Sequence, residues 1–463
     1  MRKSTLLGGV ALGVTLALGL GAAAQAQDLT VAWKGAPEFT NDDVKFKVRG
    51  RIYTDYVFQE IDGEYDPLTN LSGTGDYNTR NGRLRTARLG VEGQWNTQWA
   101  YKAEINFVAG NTVQWEDLIL EYKPNDTTSI MIGNFKTVSL ENITSSRYIT
   151  MMERGAFNDV LDIGRVLNVA AKVNGINWTA MLAANGDSVN TADIAGEERL
   201  GWSFRGTFAP IDTDTTKLHL GVWARGRDFG DEGMPANALT GQPAGGSEAG
   251  RYRLRNNTNV GDRYIDSGSN FAESDLMFAV EAAWVYNSFS VQGEYAHVEA
   301  DKRCFAVAPG AVNPCSQGAD QGDVDAYYVT ASWFPTGEMR RYEANRGEFN
   351  RTRILNPVTA GGTGAVELAV RYDNVDLSGL QTVRRFTGPG GPVDVLGPVD
   401  RGGEYQAVTL GANWYPFPYV RFMANYTMAE NDNPQIVNPL TLVAGPDRDV
   451  DVDTLQFRAQ FDF

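Results

Sequence analysis

The sequence predicts an all-β protein, a 16-stranded antiparallel transmembrane β-barrel. Segments of about ten residues alternate apolar and polar side chains with a period of two, as the strands of a membrane barrel do. The connections between these segments alternate between short turns and long polar loops. After residue 26 the chain has no run of the ~18 apolar residues that a transmembrane helix needs, so strands are the elements expected to cross the bilayer.

The composition narrows the functional class. The chain has 463 residues, 41 Lys and Arg against 57 Asp and Glu, a net charge of −16 and 11% aromatic residues. So many aromatic side chains exclude a disordered chain. The acidic balance argues against nucleic acid as a partner, because binding a phosphate backbone needs a surplus of Lys and Arg. His219 and His297 have no Ser or carboxylate motif beside them, so no enzyme activity, cofactor or metal site is predicted.

The first 26 residues have the pattern of a secretory signal peptide. Two cations precede an apolar run from Leu6 to Ala24, and Ala24-Gln25-Ala26 is a small-residue cleavage site. We therefore expect export and a mature chain that begins at Gln27, in which loss of the two cations leaves 39 basic and 57 acidic residues, a charge of −18. Residues 27–43 are predicted to form a periplasmic N-terminal segment, and residues 44–463 the barrel domain.

The two cysteines, Cys304 and Cys315, lie close together in a polar loop. An oxidising compartment allows them to form a disulfide, which is the predicted state. Two free thiols are the alternative.

Sixteen segments have the strand pattern, at 44–58, 84–95, 98–109, 113–122, 128–136, 166–174, 176–184, 199–209, 217–227, 274–286, 288–297, 324–334, 364–375, 404–415, 418–428 and 452–463. An even number of strands places both ends of the barrel on the periplasmic side. By parity the extracellular loops are 59–82, 137–165, 185–198, 228–273, 298–323, 376–403 and 429–451. Segment 335–363 is long yet falls on the periplasmic side. Either this segment is an unusually long periplasmic loop, or the list of strands lacks one strand or contains one too many.

The last segment shows the alternation most clearly. Leu455 and Phe457 share an apolar face suited to lipid, while Gln456 and Arg458 share a polar face suited to water. A terminal strand that closes on Phe463 resembles the terminal signature of bacterial outer-membrane barrels. Aromatic residues also cluster at segment ends, as in an interfacial girdle. The core of a soluble sandwich is the alternative for these patterns.

Cations occupy one face of the first strand. Lys45, Lys47, Arg49 and Arg51 point the same way, opposite an apolar face. Each would cost about 2 to 4 kcal/mol on the lipid side at the midplane, so they are predicted to line a water-filled lumen. By the same alternation, further charged side chains are predicted to point into the lumen. The cations are Arg88, Lys102, Lys172, Arg205, Arg225, Arg371, Arg421 and Arg458, and the carboxylates are Glu92, Glu104, Glu294 and Glu367. The alternative is that inward charges only brace the barrel through salt bridges.

A second basic run, Arg251, Arg253 and Arg255, lies in a long extracellular loop. Its spacing places three guanidiniums on one side of an extended segment, where their fork geometry could capture an oxyanion. A solvated loop with three arginines is the alternative.

Several segments together resemble the phosphate-selective porin O and P family of outer-membrane channels, over nearly the whole mature chain. They are FKVRGR at 46–51 with Asp55-Tyr56, LRTARL at 84–89, ENITSSRYITMMER at 141–154, WFPTGEMRR at 333–341, GAVELAVRY at 364–372 and LGANWY at 410–415. The resemblance implies a homotrimeric barrel in the bacterial outer membrane, in contact with lipid and lipopolysaccharide, whose third extracellular loop folds into the pore. It also implies that phosphate or polyphosphate diffuses through.

The resemblance assigns roles to single residues. Arg51, Arg85 and Arg154 match the constriction arginines of the family. Arg251, Arg253 and Arg255 match the arginines of its extracellular ladder. Ser145, Ser146 and either Glu116 or Asp117 match other residues of its anion site. In three places the chain departs from the family, because Thr86 stands for an arginine, Asn142 for a lysine and Asn259 for a ladder arginine. Each departure removes a cation from the implied path and so weakens the expectation of strict phosphate preference.

The alternation leaves one conflict in the second strand. It points Thr86 and Arg88 into the lumen and Arg85 outward. A β-bulge near the top of the strand would turn Arg85 inward. If Arg85 points outward, Arg88 is the cation expected to take its place at the constriction.

The predicted function is passive diffusion of small anions, most simply phosphate, through an arginine-lined pore. A general or sugar-type porin is the alternative, in which Tyr53, Trp115 and Tyr148 would guide a polyol.

Overall fold

The structure is a computed structural model. It describes residues 30–33, 35–63, 65–66, 71–72, 77–109, 112–190, 199–229, 250–267, 272–302, 321–380, 383–388, 391–396, 402–432 and 449–463. The predicted signal peptide at 1–26 and the predicted Cys304–Cys315 disulfide lie outside these residues.

Sixteen long strands pair in chain order, each antiparallel to the next. They are β1 Val44–Gly63, β2 Tyr77–Trp95, β3 Trp99–Ala109, β4 Thr112–Asn125, β5 Thr128–Phe135, β6 Val166–Asn174, β7 Trp178–Asn185, β8 Leu200–Asp212, β9 Thr216–Asp228, β10 Ala272–Tyr286, β11 Phe289–Lys302, β12 Gln321–Trp333, β13 Ala365–Asp376, β14 Glu404–Phe417, β15 Val420–Asp432 and β16 Val450–Asp462. Strand β16 pairs back onto β1, from Val450 opposite Gly63 to Asp462 opposite Arg51. The sheet is therefore a closed barrel, and the predicted fold class is confirmed.

The two faces of the barrel differ as the alternation predicts. In β16, Leu455 and Phe457 are exposed on the outer surface, while Thr454, Gln456 and Arg458 are buried on the inner side. Apolar side chains thus face the lipid and polar ones the lumen. The structure describes no helix that is long and apolar enough to cross a membrane.

A short hairpin precedes the barrel. Thr30–Trp33 pairs with Pro37–Thr40, and this second strand pairs with the start of β1, Glu38 lying opposite Lys47. Because β16 pairs with β1 only from Arg51 onward, the hairpin covers an edge of β1 that would otherwise stay unpaired.

The long connection between β12 and β13 adds no strand to the barrel. Within it Arg341–Glu343 pairs with Glu348–Asn350 as a small separate hairpin. Its Tyr342 and Phe349 are buried with Leu140 of the third loop, and the backbone oxygen of Gly347 accepts a 2.7 Å hydrogen bond from Arg205 of β8. The connection therefore folds back into the barrel, and we name it the inner hairpin segment (334–364).

The third extracellular loop, residues 136–165, lies across the lumen. Side chains of three consecutive strands hold its backbone: Arg421 donates to the Ile149 oxygen (2.7 Å), Asn413 to the Thr150 oxygen (3.0 Å) and Gln460 to the Arg147 oxygen (3.3 Å). The loop contains two short helices, α1 Leu140–Ile143 and α2 Ala156–Val160.

One side of the lumen is filled by apolar packing. Phe157 of α2 and Tyr252 of the fifth extracellular loop pack with inward side chains of the wall from β9 to β15, among them Trp223, Tyr328 and Tyr405. The Phe157 ring meets Trp223 and Tyr328 edge-on, at centroid distances of 6.3 and 5.6 Å. Open space in the lumen therefore lies on the opposite side.

Candidate functional site

A cavity of about 480 Å³ lies in the open side of the lumen. Its walls come from β16 and the strands β1 to β8, from the third loop and from the inner hairpin segment. Among the described residues, its lining includes four carboxylates, Glu92, Asp117, Glu153 and Glu348, against fourteen cations, Lys47, Arg49, Arg51, Arg85, Arg88, Lys102, Lys136, Arg147, Arg154, Arg165, Lys172, Arg205, Arg346 and Arg458. The cavity is thus strongly cationic in a chain whose net charge is negative.

Four arginines of the cavity surround one buried carboxylate. Arg49, Arg51, Arg88 and Arg147 place a nitrogen 3.2, 3.0, 3.4 and 3.8 Å from the Glu104 carboxylate. Arg49 also pairs with Glu92 and Arg88 with Glu116, whereas Arg51 and Arg147 have Glu104 as their acidic partner. Three carboxylates face these four guanidiniums, and two of the three are shared with Lys47 and Arg165, so this cluster keeps a net positive charge.

Arg85 reaches the cavity through a β-bulge. Tyr53 of β1 lies opposite Thr86 while Thr54 lies opposite Leu84, so Arg85 is the extra residue of β2. The bulge turns both Arg85 and Thr86 toward the lumen, which resolves the conflict in the alternation.

The carboxylate of Glu153 holds Arg85 by a two-point contact, at 2.8 and 2.9 Å. Arg458 of β16 binds the same carboxylate at 2.6 Å. Burial disfavours the ionised form of Glu153, but Arg85 and Arg458 outweigh burial and hold its pKa well below the usual range. The third loop is thereby fastened to the wall by an ionised bridge.

The third loop places Arg154, Ser145 and Ser146 at the cavity. Arg154 donates to three backbone oxygens of its own loop, those of Glu141 (3.0 Å), Asn142 (3.2 Å) and Thr144 (2.7 Å). Burial lowers the pKa of Arg154 to about 10, so the group stays charged at neutral pH. The Ser146 hydroxyl accepts a 2.7 Å hydrogen bond from Arg51.

A second cavity of about 730 Å³ continues the space toward the short turns of the barrel. It shares Met131, Lys172 and Arg346 with the first cavity. Two cations therefore stand where the two spaces meet.

Four cations predicted to bind the anion, Lys45, Arg251, Arg253 and Arg255, lie outside the cavity. Lys45 is about half exposed at the start of β1, and its Nζ lies 3.6 Å from the Glu38 carboxylate. In the fifth loop the alternation is as predicted, since Tyr252 and Leu254 are buried and Arg251, Arg253 and Arg255 are partly exposed between them. Arg251 forms a two-point ion pair with Asp266. These three arginines do not line the described cavity.

Residues 46–463 match the family model described as phosphate-selective porin O and P. The chain belongs to this family. It is 26% identical to Porin O of Pseudomonas aeruginosa over 431 residues, which cover 88% of each chain. It is 27% identical over 445 residues to an uncharacterized protein of Caulobacter vibrioides, covering 94% of this chain and 77% of that protein.

Among solved structures, the chain is similar to OmpT of Vibrio cholerae, with a TM-score of 0.47, 12% identity and coverage of 92% of this chain and 99% of that one. It is also similar to an anion-selective porin from Comamonas acidovorans, with a TM-score of 0.46, 11% identity and coverage of 91% and 100%. By its family the protein is a porin of the bacterial outer membrane.

Sequence reasoning missed four cations of this porin cavity: Lys136, Arg147, Arg165 and Arg346. Arg147, Arg165 and Arg346 lie in connections, where no period of two shows which way a side chain points. Lys136 is the last residue of the predicted segment 128–136 and lies just past the end of β5. The family resemblance implies that the third loop enters the pore, but it does not show which of the other cations of the loop face the cavity, and the sequence does not indicate that the connection containing Arg346 enters the lumen.

Other inward arginines brace the porin and do not line the cavity. Arg225 donates to the Asp162 oxygen (3.0 Å) and Arg371 to the Glu153 oxygen (3.0 Å) and the Asp373 carboxylate (2.8 Å). Like Arg421, they hold the third loop. The bracing alternative therefore describes these arginines.

Proposed function

We propose that this porin is an anion-selective channel through which phosphate and similar small oxyanions diffuse passively. The observation that carries the proposal is the lining of the cavity, in which the described residues include fourteen cations against four carboxylates. Fixed cations in a narrow space bounded by protein raise the local concentration of anions and repel cations.

The mechanism needs no chemical step. A guanidinium offers several N–H donors in a planar fork, which can replace part of the hydration shell of an oxyanion. Because the cations are spread over many strands, an anion can pass between weak sites without being trapped at one. Glu104 and Glu153 limit the affinity of any single site by neutralising part of the charge.

The proposed assembly is a homotrimer, as the family resemblance implies. The exposed apolar side chains of the outer surface would then be divided between lipid and neighbouring subunits. Cross-linking in detergent, read on gels without heating, tests the number of subunits.

The competing function, a general or sugar-type porin, has less support. Tyr53 and Tyr148 line the cavity, but Arg458 lies 5.2 Å from the Tyr53 ring centroid and Arg351 lies 5.3 Å from that of Tyr148. A guanidinium therefore covers one face of each ring, which is then not free to stack on a sugar. Trp115 is 42% exposed and does not line the cavity.

Planar-bilayer recordings test the proposal. Under a KCl gradient the reversal potential should be that of an anion-selective pore, and added phosphate should block the chloride current. Combined Arg51→Ala and Arg154→Ala should weaken this block by about tenfold or more, since two charges near the anion are lost.

Lys45→Ala removes a cation outside the cavity and should leave the block unchanged. A cation-selective potential would contradict the proposed function, and an unchanged block in the double variant would contradict the site. Liposome swelling with neutral sugars examines the sugar-type alternative.

A further inference from the structure

Four apolar side chains form a patch on the lumenal wall of the pore. Ile119 of β4, Met131 and Phe135 of β5 and Met181 of β7 belong to one apolar cluster. All four line the first cavity, and we name them the lumenal patch. Ile119, Met131 and Met181 are only partly buried, so the patch presents apolar surface to a solute in the cavity.

Such a patch is not needed in a pore that passes only inorganic ions. The inner face of a membrane barrel is normally polar, because it faces water. Ligand sites in proteins, in contrast, combine apolar walls with a few charged groups, and the flexible methionine side chain adapts to ligands of different shape. The patch therefore has the character of a contact surface for the apolar part of a solute.

Cations stand directly beside the patch in the sheet. Lys102 lies opposite Ile119. Lys172 and Arg205 lie opposite Met181, on the two strands that flank it. Side chains that lie opposite each other on one face of a sheet have Cβ atoms about 4.5 to 5.5 Å apart. An anionic group held by one of these cations would therefore place the carbon atoms attached to it against the patch.

Lys172 is the cation of this group without an acidic partner. Lys102 forms an ion pair with Asp117. Arg205 forms one with Glu281, at 2.6 Å. Among the residues that the structure describes, no carboxylate lies within 4.0 Å of Lys172 Nζ. An anionic head group is therefore expected to meet Lys172.

The patch lies where the first cavity joins the second. Met131 and Lys172 line both cavities, together with Arg346 of the inner hairpin segment. A solute that moves from the first cavity toward the short turns therefore passes an apolar side chain and two cations at one point of its path.

We propose that the lumenal patch and Lys172 select organic anions, in which a phosphate or carboxylate head group is attached to a small aromatic or aliphatic body. The head group binds Lys172, and the body lies on Ile119, Met131 and Met181. This inference deepens the proposed anion-selective function and rests on it. Inorganic phosphate has no apolar part and gains nothing from the patch.

The test compares block of the chloride current by phenyl phosphate and by inorganic phosphate in the full-length porin. At about pH 8.5 both head groups are mainly doubly charged, so the probes differ in the apolar body. In wild type, phenyl phosphate should half-block at a concentration about fivefold or more below that of inorganic phosphate, the factor for removing about 40 Å² of apolar surface from water.

Substitutions then separate the patch from the cations. Met131→Gln combined with Met181→Gln keeps side-chain length and charge but makes the surface polar. The two probes should then half-block within about twofold of each other, with block by inorganic phosphate as in wild type. Leu355→Gln is the matched control, because Leu355 is exposed in the inner hairpin segment and lines neither cavity, and it should keep the preference. Lys172→Gln should raise the half-blocking concentration of phenyl phosphate about fivefold or more, the factor for one charge at about 4 Å in a wet site.

The outcomes separate the patch from the proposed function. Equal block by the two probes in an anion-selective wild type overturns the patch and leaves the proposed function standing. A preference that persists in the double variant, or that is lost equally in Leu355→Gln, also overturns the patch. Unchanged block by phenyl phosphate in Lys172→Gln overturns the role of Lys172, and a wild-type pore that is not anion-selective under a KCl gradient overturns the proposed function itself.

A second measurement covers failure of the double variant to fold. If it gives no folded barrel on unheated gels, Met131→Gln and Met181→Gln are measured singly with the same probes. An unchanged preference for phenyl phosphate in both single variants then overturns the patch, and a reduced preference in either one supports it.

Discussion

Glu104 offers a sharp test of how the cavity is charged. It faces Arg49, Arg51, Arg88 and Arg147 at 3.0–3.8 Å and is completely buried. Glu104→Gln keeps the shape and one acceptor but removes the negative charge. If the arginines attract anions and Glu104 opposes them, this substitution should tighten phosphate block.

The expected size follows from the geometry. An anion bound on the cavity side of an arginine would lie about 6.5 Å from Glu104, where removal of the repulsion gives about 0.6 kcal/mol at a dielectric constant of 80 and about 2.5 kcal/mol at 20. The half-blocking phosphate concentration should therefore fall by about 3-fold to 70-fold, measured in planar bilayers at fixed KCl. The gain should shrink as KCl is raised, because salt screens the field.

A matched control is available on the same barrel. Glu60 of β1 points away from the lumen and is exposed, so Glu60→Gln removes the same charge without touching the cavity. Its block should equal that of wild type. Unchanged or weaker block in Glu104→Gln, with Glu60→Gln unchanged, would refute the electrostatic reasoning.

Two further substitutions probe the architecture. Glu294 accepts hydrogen bonds from the Ser139 hydroxyl (3.0 Å) and from the backbone nitrogens at the start of α1 (2.8 and 3.1 Å). Glu294→Ala should therefore free the third loop and raise the single-channel conductance. An unchanged conductance would contradict the role of Glu294 as an anchor of the loop. Gly50→Ala would place a methyl group 2.5 Å from the Phe463 ring and 2.8 Å from a backbone oxygen of β2. This clash should destabilise the barrel by about 1 to 3 kcal/mol, which would lower the unfolding temperature measured on heated gels. An unchanged unfolding temperature would contradict the clash.

The strands could be predicted because lipid and water lie on opposite sides of the wall. A shift by one residue would turn every apolar side chain into the lumen, so the alternation is strongly selected where the strand crosses the bilayer. All sixteen predicted strands are present. The ends of the strands could be predicted less well. The first predicted strand ends at residue 58, but β1 continues to Gly63. In this last part the outward residues Glu60 and Asp62 are polar, so the alternation of polar and apolar residues no longer marks the strand.

The candidate site could be predicted only where it lies on strands. Lys47, Arg49 and Arg51 follow from alternation, and Arg85 follows once a bulge is allowed. Lys136 could not be assigned in this way, because its direction depends on how the third loop returns into the lumen. Such returns are set by long-range contacts, as between Arg421 and the Ile149 oxygen, which leave no periodic trace in the sequence.

The two interpretations of inward charge apply to different sides of one lumen. On the side of β9 to β15, apolar packing and arginines such as Arg371 and Arg421 hold the loops in place. On the side of β16 and β1 to β8, arginines such as Arg51 line open space. The contacts that fix the third loop against one wall also determine the charge of the pore. They bring Arg154 and Lys136 to the opposite wall, where the carboxylates are too few to neutralise them. Selectivity in this porin therefore depends on the position of the loops as much as on the number of cations.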